Sequence, residues 1–234
     1  SYDGALMNAG IPLKSAMQNK NEKAALAALK WLRGHDIPWD ERVCTYAAIY
    51  GNLKVLRWAR ENGCPWGSDT FNCAAKYGNI DILEYCFKYN CPVDSPILYQ
   101  MPFEADEFFE PTLSEMQERS LKVYKWLHQH SIPWDDTACL ATAKAGHLQT
   151  MIWAIDNGCP WHEDIFVEAN LECNNAMAMI KYYFRHLSSM DDSVYVFAMN
   201  KMNSNERWRG YREATMIEVL QMFHDYGIPW NRDI

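Results

Sequence analysis

The sequence predicts an all-α fold: an α-solenoid of short helix-turn-helix repeats. Three observations predict it. A unit of about 27 residues recurs along the chain. Apolar residues inside each unit follow helical spacing. Each unit closes on a turn built from Gly, Asn and Pro. The clearest copy runs from Asp40 to Trp66. It holds an apolar run, Cys44 to Ala48, then Tyr50-Gly51-Asn52, a second run of Leu53, Val55, Leu56 and Trp58, and the turn Asn62-Gly63-Cys64-Pro65-Trp66. The next stretch repeats it with Ala74-Ala75, Gly78-Asn79-Ile80, Ile82-Leu83, Tyr85 and Asn90-Cys91-Pro92-Val93. One such unit cannot bury its own apolar face, so the copies are expected to stack.

The Trp of Pro-Trp marks the phase. The marks are Leu13, Trp39, Trp66, Val93, Trp134, Trp161 and Trp230, with steps of 26, 27, 27, 41, 27 and 69 residues. Matching Met179, Ile180 and Tyr182 to Val55, Leu56 and Trp58 places a further mark at Met190. The chain then reads as one solenoid over 1–234: a half-unit 1–13, followed by units 14–39, 40–66, 67–93, 94–134, 135–161, 162–190 and 191–230. The two long units carry insertions at about 102–118 and 200–214. Trp39 to Trp134 and Trp134 to Trp230 span 95 and 96 residues, so block duplication is one explanation of the pattern.

Within a unit, Leu53, Leu56 and Trp58-Ala59 share a helical face that Lys54, Arg57, Arg60 and Glu61 leave. Glu41 to Tyr50 is a shorter first helix. Asp40, Asp94, Asp135 and Asp191 stand where a carboxylate caps the next helix. Gly51, Gly78 and Gly146 separate the two helices, and Gly63 and Gly158 stop the second, with Pro two residues on. Ala47-Ala48, Ala74-Ala75 and Ala143 are small where helices approach closely.

The run Ala47-Ala48-x-x-Gly51-Asn52-Leu53-x-x-Leu56, closed by Gly63, resembles the ankyrin repeat. The resemblance is most specific over 40–93 and 135–161, and is closest to a divergent short-repeat branch with Asn-Gly-Cys-Pro-Trp loops. It implies stacked helix pairs whose first helices and loops form an extended binding face. The family's unit is about 33 residues. The shortfall here lies between Trp66 and the next helix, where the family projects a β-hairpin finger, so the fingers are expected to be stubs or absent. The Thr-Pro-Leu-His opening is replaced by Val43-Cys44-Thr45.

Composition fits this reading. The chain is 234 residues, 49% apolar and 22% charged, with a formal net charge of −8. That charge makes nucleic acid an unlikely partner, because its binding rests on cations that neutralise phosphates. No apolar run is long enough to span a membrane, and no secretory leader is visible. Cys64, Cys91 and Cys159 share a repeat position with Ile37, Ile132 and Ile228, and Cys44 and Cys139 share one with Phe71, Leu98 and Phe166. A site that accepts Cys, Ile or Phe is an apolar pocket, so buried free thiols and an intracellular, reducing compartment, most simply the cytoplasm, are expected.

Nine of the ten Trp residues fall in two repeat positions and are expected to be packing residues. Trp31, Trp58, Trp126 and Trp153 lie on second helices; Trp39, Trp66, Trp134, Trp161 and Trp230 lie in loops. Trp208 alone belongs to neither. The insertion at 102–118 carries six carboxylates, no Lys or Arg, and Phe103, Phe108 and Phe109. The one at 200–214 carries Lys201, Arg207, Arg209 and Arg212 with Trp208 and Tyr211. Each reads either as a solvated loop or helix extension, or as a partner contact, since Arg beside aromatics is the usual interface anchor. Stacking at about 10 Å per unit would hold them about 30 Å apart, beyond a Debye length of about 8 Å.

Catalytic motifs are missing from the sequence. His162-Glu163-Asp164 is not a His-Glu-x-x-His pair, His128-x-His130 has no ligand partner at metal spacing, and no phosphate-binding Gly loop or Cys-x-x-Cys occurs. No catalytic, cofactor or metal residue is assigned. The expected function is a non-catalytic protein-protein interaction scaffold or adaptor. The alternative is a permanent structural subunit of a large assembly. Candidate contacts on the first-helix face are Arg42, Tyr46, Asp69, Asn72, Asp136 and Leu140. Those on the insertions are Glu107, Phe108, Phe109, Arg207, Trp208, Arg209 and Tyr211. Neither end of the chain shows a polar capping unit, so a cover from a partner or from further chain is expected there.

Overall fold

Residues 21–36, 38–93 and 112–160, with Tyr182, Gln221 and His224, are described in the computed structural model of the chain. All regular structure among them is α-helical, with no strand. The chain divides into two compact units, Ser1–Pro133 and Trp134–Ile234.

The first compact unit holds α1 (Glu22–Gly34), α2 (Arg42–Ile49), α3 (Leu53–Glu61), α4 (Ser68–Lys76), α5 (Ile80–Lys88) and α6 (Leu113–Gln129). Helices α2 and α3 form one antiparallel-type pair through the turn at Gly51, and α4 and α5 form the next through Gly78. The first helices α2 and α4 pack on each other, as do the second helices α1 with α3 and α5 with α6. The second compact unit holds α7 (Asp136–Lys144) packed on α8 (Leu148–Asp156).

The repeat phase decides what is buried. Val55 and Leu56 of α3, Ile82 and Leu83 of α5, Val123 and Tyr124 of α6, and Met151 of α8 are all buried. Ala47-Ala48, Ala74-Ala75 and Ala143 are fully buried on the first helices, where a larger side chain would hold the neighbour away. Burying one such Leu contributes about 1.5–3 kcal/mol, and it can do so only against a neighbouring helix.

Helix ends repeat as closely as the core. Gly51, Gly78 and Gly146 have φ of 69°, 71° and 73° and end the first helices. The following N–H groups of Asn52, Asn79 and His147 donate back to Ala47, Ala74 and Thr142 at 2.8, 2.8 and 2.9 Å. These are the six-to-one bonds of a Schellman stop. The second helices end the same way: Cys64 N–H donates to Ala59 O, Cys91 to Cys86 O, Ile132 to Leu127 O and Cys159 to Ala154 O, at 2.9 to 3.0 Å. Gly63 and Gly158 take the left-handed residue there, but Asp36, Asn90 and Ser131 take it too, with φ of 51° to 55°. At the start, Asp135 caps α7 by accepting from Thr137 N–H at 3.1 Å, as expected of that position. Asp40 accepts from Arg42 N–H at 3.0 Å and holds the Arg42 guanidinium as well. Asp94 and Asp191 lie outside the described residues.

The segment 102–118 reads in the sequence as a solvated loop or helix extension, or as a partner contact; its described end is helix, since α6 begins at Leu113 and runs unbroken to Gln129. Its start is a capping box: Thr112 Oγ1 accepts from Glu115 N–H, and Glu115 Oε2 accepts from Thr112 N–H at 2.8 Å. Residues 113–118 are therefore extra turns of the second helix, two more than α3 or α5 has.

Candidate functional site

The six residues expected on the first-helix face do sit on first helices: Arg42 and Tyr46 on α2, Asp69 and Asn72 on α4, Asp136 and Leu140 on α7. Arg42 and Asp69 are exposed; the other four are half-buried. Arg42 forms a two-pronged ion pair with Asp40, 2.6 Å at its closest, which holds the Asp40 carboxyl below its ordinary range. Asn72 Oδ1 is enclosed without a hydrogen-bond partner. Beside Asp69, burial and then the Asp69 charge push the Cys73 thiol up to about 11. Glu107, Phe108, Phe109, Arg207, Trp208, Arg209 and Tyr211 lie outside the described residues. Two of the six carboxylates of the first insertion are spent inside α6: Glu115 in the capping box, and Glu118 in an ion pair with Lys122 at 2.7 Å.

The Trp residues do something other than fill a core. Among the described ones only Trp126 is buried; Trp31 is 57% exposed. Each described loop Trp sets its edge against the aromatic of the following unit's second helix: Trp39 on Trp58, Trp66 on Tyr85 and Trp134 on Trp153, with centroids 5.8, 6.0 and 5.9 Å apart. Edge-to-face contact at this distance is the favoured aromatic geometry. The guanidinium groups of Arg33 and Arg60 cover Trp39 and Trp66 at 4.7 and 4.2 Å. The loop Trp is thus a half-buried clamp between successive units, held from outside by a cation at Trp39 and Trp66.

The described cysteines are free thiols, and six of the seven are buried. Their shared loop position makes a repeated bond that the sequence pattern alone did not reveal. Cys64, Cys91 and Cys159 each donate S–H to a carbonyl 24 residues back, Asp40, Gly67 and Asp135, at 3.3, 3.4 and 3.5 Å. A hydrogen bond to Cys64 and then burial hold the Cys44 thiol far above its ordinary range; Cys139 stands in the same relation to Cys159. The Cys44 and Cys139 thiols are therefore protonated. Among the described residues no three His, Cys, Asp or Glu side chains gather as metal ligands, and no helix is long and apolar enough to cross a membrane.

The end of each second helix carries one more repeated feature. His35, Asn62, His130 and Asn157 occupy the same position, and each side chain bonds the carbonyl four residues back, that of Trp31, Trp58, Trp126 or Trp153, at 2.7 to 2.8 Å. Unit 67–93 departs here. The position holds Tyr89, which is 52% exposed and lies against Tyr85 with centroids 4.5 Å apart. Beside it runs an open groove of about 310 Å³. Leu53 and Arg57 of α3 form one wall; Asp81, Glu84, Tyr85, Lys88 and Tyr89 of α5 form the other. Burial and then the Tyr89 hydroxyl push the Tyr85 phenol up. The signal was present in the sequence as a Tyr where the other copies have Asn or His.

Comparison with known proteins found no match to the chain among family models or among curated proteins.

Proposed function

We propose that the chain is a non-catalytic scaffold or adaptor that binds another protein, built as an ankyrin-type solenoid with stub loops. The observation that carries this reading is repetition: helix pairs at one phase reuse the same stops, the same buried positions and the same Trp clamp. Units of this kind expose a continuous face rather than a single deep cavity, and such faces bind macromolecules. Two surfaces serve the function. One is the first-helix face with Tyr46, Asp69, Asn72, Asp136 and Leu140; the other is the pair of insertions, with Phe108, Phe109, Arg207, Trp208 and Arg209. The absence of strands among the described residues fits the shortened loops of this branch, and the buried thiols fit a reducing compartment.

The test is a pulldown from the source cell with three baits: wild type, R207A/W208A/R209A and Y46A/L140A. Loss of a partner with either variant identifies the binding surface. Unchanged partners with both sink the assignment of these surfaces.

A further inference from the structure

Unit 67–93 differs from unit 40–66 at three positions at the end of α5 and its loop, and at two of them, Tyr89 and Val93, it differs from the other described units as well. Phe87 stands where Arg60 stands one unit earlier, Tyr89 where Asn62 stands, and Val93 where Trp66 stands. Each change replaces a side chain that is engaged, within its own unit or with the next. Arg60 covers Trp66, Asn62 bonds Trp58 O, and Trp66 clamps Tyr85. The replacements are exposed: Phe87 by 42%, Tyr89 by 52% and Val93 by 40%. With Trp31 they make up the exposed large apolar side chains among the described residues. Phe87 leans on Trp126 and His130 of α6, with centroids 5.8 and 4.8 Å away.

Tyr89 also lines the groove between α3 and α5. Its charges are ordered. Asp81 and Glu84 occupy the first half of α5, while Lys88 in its last turn and Arg57 of α3 stand beside the tyrosines. The two cations rest on rings, Arg57 over Tyr85 at 5.6 Å and Lys88 over Tyr89 at 5.4 Å. Glu84 and Lys88 are at i,i+4 spacing, yet the four charges form no ion pair among the described residues. Cations that neighbour exposed rings and lack carboxylate partners match a ligand that brings both a ring and a carboxylate. Because the ring faces already hold cations, a cationic ligand is disfavoured at this end.

We propose that the groove beside Tyr89 docks a short linear segment of a partner protein. In that segment an aromatic residue is followed by acidic residues, and a basic residue lies on the other side. The ring packs on Tyr89, its neighbouring carboxylates meet Lys88 and Arg57, and the basic residue meets Asp81 and Glu84. The inference rests on the reading of the chain as a protein-binding module, but on neither the first-helix face nor the insertions.

The test titrates the full-length isotope-labelled chain with two synthetic peptides and follows backbone amide shifts. One is acetyl-Lys-Ala-Ala-Phe-Glu-Glu-amide; the other exchanges the charges, acetyl-Glu-Ala-Ala-Phe-Lys-Lys-amide. Saturable shifts at Tyr85, Lys88 and Tyr89 with the first, and at least tenfold weaker binding of the second, are expected. Tyr89→Asn, which installs the side chain used by the sister units, should weaken the first peptide at least tenfold without lowering Tm. Lys88→Glu should weaken the first peptide and strengthen the second. Equal binding of the two peptides, no saturable shift, or undiminished binding by the Tyr89→Asn chain would each overturn the proposal. The insertion and first-helix variants leave Lys88 and Tyr89 in place, so their failure in the pulldown and a failure here are read separately.

Discussion

Units 40–66 and 67–93 are the same object up to their last seven residues. Both bury the same pair of positions on the second helix, Val55-Leu56 and Ile82-Leu83. Both stop their helices by the same bonds and tie the loop thiol to a carbonyl 24 residues back. They part at Arg60, Asn62 and Trp66 against Phe87, Tyr89 and Val93, where one unit engages its side chains and the other leaves apolar surface in water. Stacking constrains every position that touches a neighbour. It leaves the end of the second helix free to vary, so that is where one copy can acquire a task the others lack.

If the shared part is one scaffold, equivalent truncations must cost the same. Leu56→Ala and Leu83→Ala remove side chains that are both 0% exposed. Each is expected to lower unfolding free energy by about 2–5 kcal/mol, read by urea denaturation. A gap between them much above 1 kcal/mol would show that the two copies pack differently.

The next largest effect separates units at a single cap position. Asn52 accepts from Val55 N–H, and Asn79 Nδ2 reaches the preceding pair to donate to Ala48 O at 2.6 Å. His147 holds that position in the other compact unit, buried, and burial pushes its imidazole down to about 4. The unfolded chain binds the proton first as pH falls. The stability is therefore full above about pH 6.5, declines between pH 6.5 and 4, and is lost below that; the drop is about 3 kcal/mol. His147→Asn should remove this slope. The same denaturation series run from pH 7 to 4 on both chains reads it, and parallel curves would refute the assignment.

Much of this was legible from spacing. A 27-residue period with Gly at the turn and Ala on the first helix fixes the helix pairs, because only one face of each can be buried. The rest escaped for identifiable reasons. Asp36, Asn90 and Ser131 take the left-handed stop that the pattern assigned only to Gly, and three residue types in one slot hide a shared backbone shape. The carbonyl bond made by His35, Asn62, His130 and Asn157 is masked in the same way. Trp repeats signalled packing correctly, but not that the packing is edge-on and half-exposed. Charge does not place the start of α6: the carboxylates of 102–118 fit a loop, a helix extension or a partner contact alike, whereas Thr112-x-x-Glu115 is a readable capping box. The insertion at 200–214 lies outside the described residues.

A smaller effect distinguishes two glycines with the same backbone. Gly51 and Gly63 have φ of 69° and 81°. An added Cβ at Gly51 would stand 2.8 Å from Asn79 Oδ1, whereas nothing lies within 4 Å at Gly63. Gly63→Ala should cost only the left-handed penalty of about 1–2 kcal/mol. Gly51→Ala adds displacement of the Asn79 clamp between units and should cost about 1 kcal/mol more. Equal costs in thermal denaturation would mean that the Asn79 contact carries no stability.

The smallest effect bears most directly on the difference between the two units. Asn62 Nδ2 donates to Trp58 O at 2.8 Å from an exposed position, so Asn62→Ala should cost about 0.5–1 kcal/mol. Tyr89→Asn runs the other way. It restores a bond to Tyr85 O and removes an exposed ring, at the loss of the Tyr85–Tyr89 contact, worth about 0.5–1 kcal/mol. The net change should lie within about 0.5 kcal/mol of zero, and Tm should not fall. A ring that can be removed without loss of stability is not there to hold the fold, and its exposure then calls for a partner. Should Tyr89→Asn instead destabilise by more than about 1 kcal/mol, Tyr89 is a packing residue, and the divergence of unit 67–93 is a local solution to the missing Trp at Val93 rather than a docking surface.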